Sequence, residues 1–220
     1  SLGPAYVNRE LGKQVKKIAI ELVQGFAHLK AQRSALRYLL SVVVHRMAFG
    51  IATVQAIILI RQTLSTALAD FTFVVGGAAV GAFIAAVSTP LMVGKLSIRL
   101  WPTYVLSISS LTAAVTLLGT ITRVGSSLSV FLLITSAFLL GFAGQTIKVC
   151  SDSVIQAEIG DAHRGRVFAI YDMAVNVGLV FGIIASAIGI ADDGRSLWPI
   201  IAISALLASA PLLLRLPPRE

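Results

Sequence analysis

Charge is scarce in this chain. Of 220 residues only 13% are Asp, Glu, Lys or Arg, about half the share of an ordinary soluble domain, while 56% are hydrophobic and the mean hydropathy is +0.88. So little charge excludes an ordinary water-covered domain and points to an integral membrane protein. Acid is the scarcer sign, with 10 Asp plus Glu against 18 Lys plus Arg. Basic charge alternating with apolar runs marks loops facing the cytoplasm rather than a nucleic-acid surface, so no nucleic-acid partner is expected. The single cysteine, Cys150, excludes an internal disulfide and a Cys pair for a metal, and reads as a small packing residue. His28, His45 and His163 lie on separate segments, and H-E-x-x-H, P-loop and G-x-S-x-G motifs are absent. The acids cluster at the cytoplasmic ends and in the outer DDGRS turn, rather than as a paired site within the membrane. An enzyme is therefore not expected, nor a metal or cofactor, and any pumping would draw on an ion gradient or on an ATPase of another chain. The opening SLGPAYVNRE begins with Ser and lacks the layout of a signal peptide, so the chain reads as a piece of something longer.

What is present is apolar length. A crossing helix needs about 20 mostly apolar residues, and six stretches supply them, at 36–60, 73–93, 102–121, 128–149, 167–190 and 197–214. With the N-terminus inside, Arg61, Arg123 and Arg195 fall outside, Arg46 lies within a span, and every other Lys and Arg faces the cytoplasm. The positive-inside rule then puts both ends of this segment in the cytoplasm and the protein in the cytoplasmic (inner) membrane as a multi-pass chain. Tyr38, Trp101, Tyr104 and Tyr171 fall near the inner interface and Trp198 near the outer one. Ahead of the first span, Leu11, Val15, Ile18, Leu22, Phe26 and Leu29 recur at steps of three or four, with Lys13, Lys16 and Lys17 largely off that stripe. This is a basic amphipathic helix, lying either on the inner leaflet or against the protein's own cytoplasmic face. The expected division is a cytoplasmic linker at 1–35, a six-helix transmembrane domain at 36–214 and a tail at 215–220.

The stretch DAHRGRVFAIYD, Asp161 to Asp172, reads as the cytoplasmic turn between the fourth and fifth spans, with Arg164 and Arg166 as inside-facing anchors. RGRVFAIYDMAVNVGLVFG running into the fifth span, six helices and a basic lead-in together resemble the C-terminal half of a major facilitator superfamily (MFS) transporter, most of all the bacterial drug and siderophore exporters. The turn GKLSIRLWP, Gly94 to Pro102, resembles the family's G-x-L-a-D-R-x-G-R at Gly94, Leu96 and Arg99. It departs from the motif at Ile98, Trp101 and Pro102, so a relay through its acid is not available here. The resemblance implies an all-α fold holding helices seven to twelve as two inverted three-helix repeats, divided at the loop near Arg123. It further implies a partner six-helix half, upstream or on a second chain, and a cytoplasmic gate at Arg99, Arg164 and Arg166.

Ionisable groups at membrane depth are costly enough to mark candidate sites. Arg46 lies about 15 Å into the first span at about 1.5 Å per residue. Thr53 shares its face with Gly50 between them, and His45 points about 100° away. Arg46 reads as a cavity residue for an anionic group or for a carboxylate's proton affinity, with a structural ion pair as the plainer reading. Asp172, its best acidic partner within the chain, shares a face with Asn176 and reads as a protonatable coupling group or, in preference, as a partner of Arg166. Gly178 and Gly182 mark another face of that span, and Gly77, Gly81 and Ala85 a small-residue ridge on the second. In the fourth span Gly141, Gln145, Lys148 and Asp152 form a polar ladder at steps of four, three and four, with Gln145 a substrate contact and Lys148 and Asp152 a local pair at the gate side. The expected function is secondary transport of a small, lipophilic or amphipathic molecule, as a proton-coupled exporter. The competing expectation is a scaffold or sensor that keeps the fold without moving solute.

Overall fold

The computed structural model describes residues 4–63, 68–121, 126–189 and 196–215. Seven α-helices follow in order: α1 (Pro4–Ala31), α2 (Arg33–Ile58), α3 (Leu68–Leu96), α4 (Leu100–Ile121), α5 (Ser126–Glu158), α6 (Asp161–Gly189) and α7 (Leu197–Arg215). A π-helical turn, Leu59–Thr63, continues α2, and no strand occurs among the described residues. Helices are the form in which an apolar segment satisfies its own backbone polar groups in lipid. The spans in α2, α3, α5, α6 and α7 are long and apolar enough to cross a membrane. α4, with 22 residues, is about 33 Å long at about 1.5 Å per residue. The loops near Arg123 and Arg195, the tail with Arg219 and the side chains of Leu11, Lys13, Val15, Ile18 and Leu22 lie outside the described residues.

The breaks between helices are short and individually fastened. Between α1 and α2 the chain turns at Gln32, whose N–H bonds the carbonyls of His28 and Leu29 at 3.3 and 3.1 Å. The exposed N-terminus of α2 then receives a carboxylate from another helix end, where Glu158 Oε2 accepts from Ala35 N–H at 3.1 Å, the sign that a helix N-terminus favours. Between α3 and α4, Ser97 holds a left-handed φ of 96°. Its N–H bonds Val93 O at 3.1 Å and its hydroxyl accepts from Leu100 N–H at 3.2 Å, so one residue closes α3 and caps α4. The Tyr38 hydroxyl donates to Ile98 O at 2.9 Å, tying that turn to α2.

The DAHRGR segment is not a turn. Only Ile159 and Gly160 separate α5 from α6, and Asp161 to Arg166 already form the first turns of α6. Arg164 bonds Asp161 at 2.7 Å and reaches back to the carbonyls of Gln156 and Ile159 at 3.0 and 3.4 Å. A cation there satisfies the last carbonyls of α5 while Asp161 faces the N-terminus of α6. The polar end of α5 likewise stays helical as far as Glu158, beyond the apolar run ending at 149. Pro90 sits inside α3.

Packing repeats itself across the bundle. On α3, Gly77 faces Ile134 and Gly81 faces Phe138 of α5, while Gly141 of α5 faces Ala78 of α3. On α6, Gly178 faces Val43 and Gly182 faces Met47 of α2, while Gly50 of α2 faces Leu179 of α6. One constant shift in residue number carries α3 onto α6 and another carries α2 onto α5, through all three pairs. The bundle is thus two equivalent three-helix units, α2–α4 and α5–α7, each lending its second helix to the first helix of the other. At Gly81, Gly141 and Gly182 an added Cβ would overlap the facing backbone, so only glycine permits this approach.

Two apolar layers fill the interior. On the α1 side Tyr38, Val42, Leu106, Ile147, Val167 and Tyr171 pack together with Cys150, as expected of that cysteine. On the far side Ile51, Leu59, Ile60, Leu133, Ile203 and Leu207 do the same. Outward faces remain apolar, with Phe83 71% and Ile188 82% exposed, as lipid contact requires. α1 packs against α6, with Gly25 on Ile170 and Arg166 and Leu29 buried in the α1-side layer. Phe26, expected on the same stripe, is 54% exposed beside it.

Candidate functional site

His45 sets the register between α2 and α5. It is buried because Gly144 leaves room for its ring, where a Cβ would overlap the imidazole. Its Nε2 lies 3.0 Å from Leu140 O, and since a carbonyl only accepts, Nε2 carries a proton. His45 therefore fastens two helices. That fastening fixes the height of Arg46, one residue on along α2, relative to α5.

Arg46 lies on the next face of α2, partly exposed, and makes no ion pair with any described residue. Gln145 is likewise only partly buried. One helical turn beyond Arg46, Phe49 begins the lining of an apolar cavity of about 240 Å³, with Thr53, Val75, Thr116, Ala137 and Leu140 among its walls. The Thr53 hydroxyl donates to Phe49 O at 2.8 Å, and the Thr116 and Ser136 hydroxyls meet each other at the cavity edge. The alcohol groups are internally satisfied, so the cavity offers an apolar surface.

Towards the α1 side, Lys148 and Asp152 form the pair that their spacing suggests, at 2.7 Å and one turn apart. The second carboxylate oxygen, Asp152 Oδ1, is buried without a partner among the described residues. Lys148 Nζ stands 5.7 Å from the centre of the Tyr171 ring, within cation–π range, and Asp152, Arg46 and Asp172 all act electrostatically on Tyr171. Arg46, Lys148, Asp152 and Tyr171 thus converge from three helices. Tyr171 is the member that sequence reasoning assigned only to the interface, because nothing in the local pattern says what a helical tyrosine faces.

Asp172 and Asn176 share a face, as their spacing requires, with Asn176 Nδ2 donating to Asp172 O at 2.8 Å. That face is exposed and belongs to a different side of α6 from Tyr171. Asp172 pairs with neither Arg46 nor Arg166, and Arg166 bonds Gln24 of α1 at 3.2 Å instead. Arg99 is exposed at the α3–α4 turn. Arg164 is engaged by the end of α5 as described above. Glu158, which caps α2, was missed altogether, and its neighbours in sequence carry no signal that could have found it. His28 and His163 stack at 4.3 Å across the α1–α6 contact, again beyond local pattern. Among the described residues no group of His, Cys, Asp and Glu could hold a metal ion.

These features define a multi-pass helical membrane protein built from two equivalent three-helix units. The family model described as Major Facilitator Superfamily matches residues 38–220, and the chain belongs to that superfamily, whose members are membrane transporters. Two curated relatives, from Mycobacterium bovis and Mycobacterium tuberculosis, are each named an uncharacterized MFS-type transporter. Each is 35% identical over 159 residues, covering 69% of this chain and 33% of the relative. The chain thus spans about a third of the length of the relatives it matches. No solved structure matches.

Proposed function

We propose that this chain is the C-terminal six-helix half of a secondary transporter that exports a small molecule in exchange for protons. The observation that carries the reading is Arg46, a charge at mid-span with no ion-pair partner among the described residues, set beside an apolar cavity. Holding a guanidinium at that depth is costly unless it serves a pathway. In such transporters the site lies near the midplane between two halves that rock against each other. The exposed face of α6 with Asp172 and Asn176 would then meet the other half, supplied upstream or by a second chain. Arg99, Arg164, Arg166, Lys148 and Asp152 lie on the side that the positive-inside rule assigns to the cytoplasm, where a gate would close. Lys148 and Asp152 suit a switch, since a partly exposed pair breaks at modest cost. Arg164 suits a fixed cap, and Arg166 binds α1.

The test uses inside-out vesicles of the inner membrane containing the full-length parent protein under an imposed proton gradient. Addition of a transported amphipathic compound dissipates the gradient with the intact protein and not with Arg46→Ala. Silence across a broad panel from folded protein would favour another coupling ion or the non-transporting scaffold.

A further inference from the structure

Two features of the α2–α5 wall meet at Phe49. On one side lies the apolar cavity of about 240 Å³. On the other lies a small charged cluster in which Arg46 makes no ion pair with any described residue. The described charged groups around Tyr171 are Arg46 from α2, Lys148 and Asp152 from α5 and Asp172 from α6, whose exposed carboxylate makes no ion pair with Arg46. No charged side chain lines the cavity, whichever helix contributes the wall. Lys148 and Asp152 pair with each other at 2.7 Å, which leaves Arg46 without an ion-paired carboxylate among the described residues.

The geometry sets the spacing as well as the sign. Arg46, Phe49 and Thr53 fall on one side of α2, and from Arg46 to Thr53 is about 10 Å along the axis at about 1.5 Å per residue. A guanidinium is a planar, always charged donor suited to gripping a carboxylate or sulfonate through two hydrogen bonds. An apolar cavity of about 150 Å³ is enough to hold benzene, so this one takes a body of about two fused rings.

We propose that this wall is a binding site for amphipathic organic anions, with the acidic head on Arg46 and the apolar body in the Phe49–Thr53–Ala137 cavity. The inference rests on the transporter reading only for the further step that the bound anion is moved. Arg46 sets the sign of the accepted charge, and Ala137 and Thr53 limit the size of the body.

The experiment is isothermal titration of the full-length protein in lipid nanodiscs with three probes of one shape: 2-naphthoate, 2-naphthamide and 2-naphthylmethylammonium. The expected result is naphthoate binding tighter than the amide by about tenfold or more, the scale of one charge-assisted hydrogen bond. The preference should be lost in Arg46→Gln and kept in Arg46→Lys, while Ala137→Leu weakens naphthoate but leaves benzoate unchanged. Equal binding of all three probes by the unmodified protein would overturn the proposal without relying on any variant. Preference for the ammonium would do so too, by placing a carboxylate from elsewhere in the protein against Arg46. Naphthoate binding without flux of any probe would support the anion site and sink the transport reading. Flux of the amine with no naphthoate binding would sink the anion site alone.

Discussion

The α3–α5 seam and the α2–α6 seam are built alike and loaded differently. In both, glycines at a spacing of four on the second helix of one unit receive the backbone of the first helix of the other, and a glycine on that first helix returns the contact. The shift that aligns the seams also aligns their surroundings. Asp172 and Asn176 on α6 correspond to Phe71 and Val75 on α3, which line the apolar cavity, and Arg46 on α2 corresponds to Ala137 on α5. Close backbone packing is therefore common to the two units, while the polar groups are assigned to one place in each. A repeated scaffold fixes the helices, and the unmatched residues are where a solute path can differ from its structural twin.

The largest effect should come from filling either seam. Gly141→Leu would drive a side chain into the Ala78 backbone, which cannot yield as a side chain could, and is expected to cost at least about 3 kcal/mol, at the upper end of overpacking. Gly50→Leu, its counterpart against Leu179, should cost a similar amount. Thermal melting in detergent reads both, and a large gap between them would break the equivalence of the two units. Arg46→Gln tests the asymmetry instead. It should lower solute flux by about tenfold or more, about 1.4 kcal/mol, with the melting temperature unchanged, because no described residue loses an ion pair. A drop in stability equal to the loss of flux would make Arg46 structural.

A smaller effect belongs to the helix ends. Glu158→Ala removes the carboxylate on the Ala35 N–H and should cost about 1 kcal/mol, the usual scale for a lost N-terminal cap, while Glu158→Gln keeps part of it. Smallest of all, Gly76→Ala meets nothing within 4 Å. It should leave stability unchanged or raise it by up to about 1 kcal/mol, since alanine is the better helix former. Gly76 lies one residue from Gly77, so this substitution measures how sharply the seam depends on helix face.

The six apolar runs were legible at once, since length and hydropathy are properties of a segment. The glycine ridges were legible too, as Gly77 with Gly81 and Gly178 with Gly182 show their spacing in the chain. Their equivalence was not, because it depends on which residue of a distant helix each one meets. The Lys148–Asp152 pair followed from helical spacing, whereas the suggested partners of Asp172 did not, because Arg46 and Arg166 sit on other elements. DAHRGR was misread as a turn for the opposite reason. Polar composition marks a loop in a short window, yet two helices can meet at Ile159 and Gly160 if an arginine on one satisfies the carbonyls of the other.

By itself the sequence determined the medium, the number of helices and the faces on which small and polar residues gather, because the helical period and the cost of bare backbone in lipid act within one segment. Only the tertiary structure decided that Gly141 and Gly50 play the same part, that Glu158 caps α2, that Tyr171 joins the charged cluster and that Arg46 stands without an ion pair above a cavity. Those facts depend on what stands opposite each face, and that is set by packing between segments that are remote in the chain.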